Sequence, residues 1–193
     1  MVNSNTTRPI LRWLKPGLLL TALLLTGGCR SVANTHPTPL PPPNLAEHAR
    51  VPCRVLLLYD GDTLGCDLNH NGHIDSAAER IRLLGIDAPE MHYSRKNRSG
   101  QNEPYAQAAM DFLAKNVHQR TVYLAYDITE FDRYGRRLAY VYTTPDTTTS
   151  INEALLSQGL ALTLFLGQNR RLQLSFEQAQ TLARKHQKGL WKP

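Results

Sequence analysis

Long apolar runs are missing from this 193-residue chain. The longest, Leu18-Leu19-Leu20-Thr21-Ala22-Leu23-Leu24-Leu25, is too short to cross a bilayer, which excludes a multi-span membrane protein. Cysteine is scarce: there are three, and no pair of histidines stands at ligand spacing near one of them. A cysteine–histidine zinc site is therefore not expected, and His70, His73 and His92 read as solvated loop side chains. No internal repeat, collagen-like period or heptad pattern is present. Acidic residues are absent from positions 1–29, which hold Arg8, Arg12 and Lys15. The rest is ordinary for a globular domain, 41% hydrophobic and 20% charged overall, which excludes a wholly disordered chain. Without those three bases, 19 basic face 16 acidic side chains, so the remainder permits a polyanionic partner without requiring one.

The basic head, short apolar stretch and small residues Thr26-Gly27-Gly28 describe a secretory signal over residues 1–29. Cys29 follows directly, and the arrangement resembles a bacterial lipobox, in which that thiol is lipidated. Thr26 stands where such motifs usually have Leu; the other reading is plain secretion with Cys29 discarded. Residues 30–50 hold five of the 12 prolines and read as an extended, disordered spacer. The folded unit is then 51–193, a monomer with no protein partner in view. Its expected place is the bacterial envelope or the exterior, outside the cytoplasm and anchored to a membrane by lipid.

Within the domain, Val55–Tyr59 reads as a strand turning at Asp60-Gly61, and Arg80–Ile86 as a second that stops at Asp87-Ala88-Pro89. Residues 91–102 are polar and basic. Helical spacing runs from Glu103 to about His118, with Pro104 at its start. Thr121–Tyr126 and Arg137–Tyr142 read as strands whose tyrosines, Tyr123, Tyr126, Tyr140 and Tyr142, pack the interior. Ser150 and Glu153 form a capping-box pattern for a helix closed by Gly159, and a last amphipathic helix spans 172–188. The expectation is an α+β fold around a small barrel.

Charged residues gather where strands end, in Asp60-Gly61-Asp62-Thr63, in Arg82 to Asp87-Ala88-Pro89-Glu90, and in Asp132-Arg133-Tyr134-Gly135-Arg136. Arg82 alternates with Ile81 and Leu83, so it lies on the opposite strand face. Together with Asn152-Glu153-Ala154-Leu155-Leu156 and the closing Gly189-Leu190-Trp191, in this order and spacing from Val55 to Trp191, these segments resemble the staphylococcal nuclease family. The resemblance implies a five-stranded OB-type β-barrel with three α-helices. It also implies calcium-dependent hydrolysis of phosphodiester bonds in DNA and RNA, leaving 3′-phosphate ends.

Carried over by position, Asp62, Asp87 and the Ala88 carbonyl hold Ca²⁺, with Asp60 and Thr63 at the edge of the metal site. Glu90 is the general base or the orienter of water, Arg82 and Arg136 hold the phosphate, and Tyr134 lies beside it. The residue types suit these tasks: a hard cation takes oxygen ligands, and a guanidinium fork matches two phosphate oxygens. The family's two nucleotide-packing tyrosines correspond to Phe165 and Gly167, so only Phe165 can offer a ring to the substrate. The contrasting reading is a catalytically inactive OB-fold module that binds nucleic acid; it predicts loss of at least one of Asp62, Arg82, Asp87, Glu90 and Arg136, and all five are present.

Two features lie outside the resemblance. With Asp60-Gly61 as the turn, Cys66 faces Val55 and Cys53 is its diagonal neighbour, roughly 7–8 Å away, so a disulfide needs a bulge or strong twist. The hairpin also carries Asp67-Leu68-Asn69-His70-Asn71-Gly72-His73-Ile74-Asp75, with oxygen side chains at the first, third, fifth and ninth positions of an EF-hand pattern and the His73 carbonyl at the seventh. Ala78 stands where the pattern needs a bidentate Glu, and Glu79 comes one residue late. The segment reads either as a second, structural calcium site or as an Asn-Gly hairpin turn decorated by polar residues.

Overall fold

The structure is a computed structural model that describes residues 50–93, 97 and 99–193. The signal segment, the spacer through residue 49, Cys29, and Arg95, Lys96 and Arg98 of the basic loop lie outside the described residues. Arg50, the last spacer residue by sequence, donates through Nη1 to the carbonyls of Thr144 (3.0 Å) and Pro145 (2.7 Å), and its guanidinium lies over the Tyr142 ring.

Five strands close into a barrel in the order β1-β2-β3-β6-β5. They are β1 (Val51–Asp60), β2 (Thr63–Asp67), β3 (Arg80–Leu83), β5 (Thr121–Ala125) and β6 (Arg137–Tyr142). All neighbours are antiparallel except β3 and β6, which run parallel. Three helices complete the OB-type α+β fold: α1 (Ala106–Asn116), α2 (Ile151–Ser157) and α3 (Gln173–Lys185). A short ladder of β4 (Ile86–Asp87) with β7 (Leu162–Thr163) was not visible in the sequence, since two residues carry no readable alternation. Among the described residues no helix is long and apolar enough to cross a membrane.

The first hairpin departs from the simplest reading in an instructive way. Asp60 pairs with Thr63, so the turn is Gly61-Asp62 rather than Asp60-Gly61. Two register shifts, between Val55 and Leu57 and between Leu58 and Asp60, absorb the difference, and Val55 still faces Cys66. The first bulge also flips Leu57, which strict alternation would bury, to the surface. Cys53 and Cys66 are joined in a disulfide with Cα atoms 5.7 Å apart.

The strand expected over Arg80–Ile86 is broken at Gly85. Its φ is +74°, and a Cβ there would meet the rings of Phe176 at 2.8 Å and Phe165 at 2.9 Å, so only glycine fits the bend that starts β4. α1 begins at Ala106, not at Glu103, because Tyr105 adopts left-handed φ of 66° ahead of it. α2 is capped as expected, Ser150 Oγ accepting from the Glu153 N–H at 3.1 Å, and Gly159 follows it with φ +68°. Asn152, fully buried, accepts from Val141 N–H and donates to the carbonyls of Leu84 and Ala139. That triple contact fastens α2 to the two strands whose ends carry the charged residues. Tyr140, Tyr142 and Phe176 fill the core beside Leu64, Ile81 and Leu83.

Candidate active site

The β1–β2 turn, the end of β3 and the start of the segment after β4 meet at one point. Gly61 lets them meet: a Cβ on it would stand 2.7 Å from the Cβ atoms of both Ala88 and Ala109. The turn is thus pressed against the Asp87-Ala88 segment and against α1. We expect Gly61→Ala to force these elements apart, costing about 1–3 kcal/mol of stability and lowering activity at the same time; thermal melts and rate measurements on the same sample check it, and an unchanged melt would contradict the close approach.

Asp62, 5% exposed, is held on every side. Its Oδ2 accepts from the Ala88 N–H at 2.9 Å and pairs with Arg82 Nη2 at 3.0 Å, while its Oδ1 accepts from Thr63 Oγ1 at 3.1 Å. Asp60 Oδ1 accepts from the Asp62 N–H at 3.0 Å. Burial, reinforced by the neighbouring Asp62 charge, pushes the Asp60 carboxyl up to about 7.

Arg82 is the hub. Nη2 reaches Asp62 and, at 2.9 Å, Asp87 Oδ1; Nη1 donates to the carbonyls of Leu83 and Ile86, each at 2.9 Å. One planar guanidinium therefore ties the β1–β2 turn to both ends of the Gly85 bend. The register explains its direction: Ile81 and Leu83 point into the barrel, so Arg82 points out.

Arg136 precedes β6, which pairs Leu138 with Arg82 in parallel, so Arg136 and Arg82 share a sheet face by period-two alternation. Its Nε donates to Asp132 Oδ2 at 2.8 Å, and Asp132 Oδ1 accepts from the backbone N–H groups of Tyr134 and Arg136. Asp132 was not singled out from sequence, although an Asp four residues before an Arg in a Gly-containing turn is the available signal. Tyr134 is 62% exposed, with its ring 5.6 Å from the Arg136 guanidinium and its hydroxyl accepting from Arg133 Nη2.

Phe165 is half-buried. Its ring packs 6.2 Å from that of Phe176 and against Gly85, as part of the seam between β7 and α3. The exposed aromatic surface beside the arginines comes from Tyr134.

The donor set suits a hard cation: carboxylate oxygens of Asp62 and Asp87 lie within 3.0 Å of one Arg82 nitrogen. Among the described residues no group of three or more His, Cys, Asp or Glu side chains converges to metal-holding distance. An ion here would draw on two carboxylates, a carbonyl and water, which leaves open positions of the kind catalysis uses.

The loop between β2 and β3 is not a two-residue hairpin. Asn71-Gly72 lies midway in an excursion of residues 68–79 that ends in a 3-10 turn, Ala77–Glu79. Buried Asp67 accepts from the N–H groups of Asn71 (3.1 Å) and Gly72 (3.0 Å). Asn69 accepts from the Asn71 N–H, Asn71 accepts from the His73 N–H, and its amide donates to Asp75. Glu79, also buried, accepts from the N–H groups of Leu68 and Asp75 and closes the loop. The late Glu79 is thus an organising residue that the position count alone undervalued.

A family model described as Staphylococcal nuclease homologue matches residues 80–193, a span that takes in Arg82, Asp87, Glu90 and Arg136 and excludes the turn with Asp62. Over 138 residues the chain is 36% identical to the thermonuclease of Staphylococcus hyicus, covering 72% of this chain and 74% of that one. It is 37% identical over 137 residues to the thermonuclease of Staphylococcus intermedius, with 71% and 74% covered. A 30% identity over 162 residues relates it to endonuclease YhcR of Bacillus subtilis, of which it spans 12%.

Proposed function

Because the chain belongs to the staphylococcal nuclease family and is a nuclease by that membership, we propose that it is a calcium-dependent enzyme hydrolysing DNA and RNA to 3′-phosphate ends. The observation that carries this is the Arg82 hub, which draws two oxygen-donor carboxylates and the Gly85 bend to one point. Asp62, Asp87 and the Ala88 carbonyl would hold the ion, with Asp60 and Thr63 behind them. Bound there, Ca²⁺ supplies charge stabilisation to a phosphate oxygen and orients water.

The protein's own groups do the rest. Arg82 and Arg136 grip the phosphodiester from one sheet face, Tyr134 borders it, and Glu90 takes a proton from the attacking water. The new bond joins that water oxygen to phosphorus. The bond from phosphorus to the 5′ oxygen breaks, and that oxygen leaves as a hydroxyl after taking a proton from solvent. Negative charge on the phosphoryl group grows toward the transition state, where two fixed guanidinium groups attract it more strongly than in the ground state. The test is digestion of single-stranded DNA and of RNA by residues 50–193 with Ca²⁺ and then with a chelator, followed by end-group analysis. Full activity in chelator, or 5′-phosphate ends, would overturn the reading.

We further propose that the domain works outside the cytoplasm, as a monomer anchored through lipidated Cys29. The buried Cys53–Cys66 disulfide supports an oxidising compartment. Detergent partitioning of the full-length protein, abolished by Cys29→Ser, is the expected result; a soluble mature wild type without Cys29 refutes it.

The 67–75 loop is proposed as a weak structural calcium site. Oxygen side chains of Asp67, Asn69, Asn71 and Asp75 and the carbonyl of His73 follow the spacing of such loops. Calcium titration should show two sites, one lost with Asp62→Ala and the other with Asp67→Ala plus Asp75→Ala. If the double variant binds as many ions and melts alike in calcium, the loop is only a connection.

A further inference from the structure

We propose that Glu103 is a positioning residue for Glu90, an inference that rests on the role given to Glu90 above. The two residues are thirteen apart in sequence and face each other across the neck of the basic loop. The Glu90 N–H donates to Glu103 Oε2 at 2.9 Å, and the Glu103 N–H donates to the Glu90 carbonyl at 3.0 Å. A second rung follows: the His92 N–H donates to Asn102 Oδ1 at 2.8 Å, and the His92 ring Nδ1 lies 2.8 Å from the same oxygen.

The consequence for the base follows from its neighbours. Ala88, two residues before Glu90, is fixed by its N–H on Asp62. Pro89 has a restricted φ and no N–H to donate. Glu90 is then bonded through both its N–H and its carbonyl to Glu103. The peptide from the metal-binding turn to the base is tethered at both ends, and the second tether comes from a residue on the approach to α1. The unexpected start of α1 makes this available: with Tyr105 left-handed and the helix beginning at Ala106, Glu103 stands outside the helix and bonds backward to Glu90. A base displaced by about 1 Å can cost up to 100-fold in rate.

The experiment measures kcat and KM on a single-stranded oligodeoxynucleotide in saturating Ca²⁺ for Glu103→Ala, Glu103→Gln, Glu90→Gln and the Glu90→Gln/Glu103→Ala double variant. Glu103→Ala should lower kcat about tenfold with KM within twofold and the melting temperature little changed. Glu103→Gln keeps an oxygen acceptor for the Glu90 N–H and should lie within about threefold of wild type. On the Glu90→Gln background, Glu103→Ala should cost nothing further. A normal kcat for Glu103→Ala, a Gln variant as slow as the Ala variant, or an equal loss on the Glu90→Gln background each overturns the positioning role. A fully active Glu90→Gln enzyme instead overturns the role of Glu90 itself, whatever the Glu103 variants do.

Discussion

Replacing Arg82 by alanine should lower phosphodiester cleavage about 100-fold or more, because one preorganised charged donor is typically worth that much in a transition state. The structure adds a second consequence. The Arg82 side chain is 11% exposed and compensates Asp62 and Asp87 while satisfying the carbonyls of Leu83 and Ile86. Its removal leaves a nearly buried carboxylate unpaired, a change that typically costs about 3 kcal/mol. The loss should be largest in chelator, and Ca²⁺ should recover part of it, since the cation would engage the same two carboxylates. Arg82→Lys retains the charge but cannot reach four partners as a planar fork, so it should restore stability more than rate. A folded Arg82→Ala protein with a near-normal rate, or one whose stability loss is identical with and without calcium, would remove Arg82 from the centre of the mechanism.

The ease with which this site could be read from the chain has a physical basis. Arg82 stood out because its alternation with Ile81 and Leu83 sets a charge on the face opposite the core, and the Asp87-Ala88-Pro89-Glu90 run is a strand ending that stacks acids beside a proline. The helix cap at Ser150 and the tyrosines of β6 follow from local rules and the structure places them accordingly. What stayed hidden is what depends on distant partners. Asp132 acquires meaning only through Arg136, Glu103 only through Glu90 across thirteen residues, and half-buried Phe165 only through its contact with Phe176 of α3. The position of the first turn was hidden for a related reason: two bulges shifted the register twice and left no mark on the composition of β1.

The disulfide is the feature whose removal should have the largest effect on stability short of the active site. Diagonal pairing alone leaves the cysteines of a regular hairpin too far apart, yet here their Cα atoms are 5.7 Å apart, inside the range a disulfide spans. The bridge joins cysteines thirteen positions apart and closes a loop that contains Asp60, Asp62 and Thr63, the turn from which the site is built. Closing a loop of that size removes unfolded-chain entropy worth about 3 kcal/mol, and both cysteines are fully buried, so their substitution also disturbs core packing. Cys53→Ala plus Cys66→Ala should therefore lower the denaturation free energy by about 3 kcal/mol or more, and reduction of the wild type under mild denaturant should do the same. Because the closed loop holds Asp60 and Asp62, the reduced protein should lose activity at denaturant concentrations where the oxidised protein keeps it. The measurement is a pair of denaturation curves, with and without reductant, followed by fluorescence and by DNA cleavage. Superimposable curves would mean that the hairpin is held by its strand pairing alone, and the disulfide would then have no part in keeping the site together.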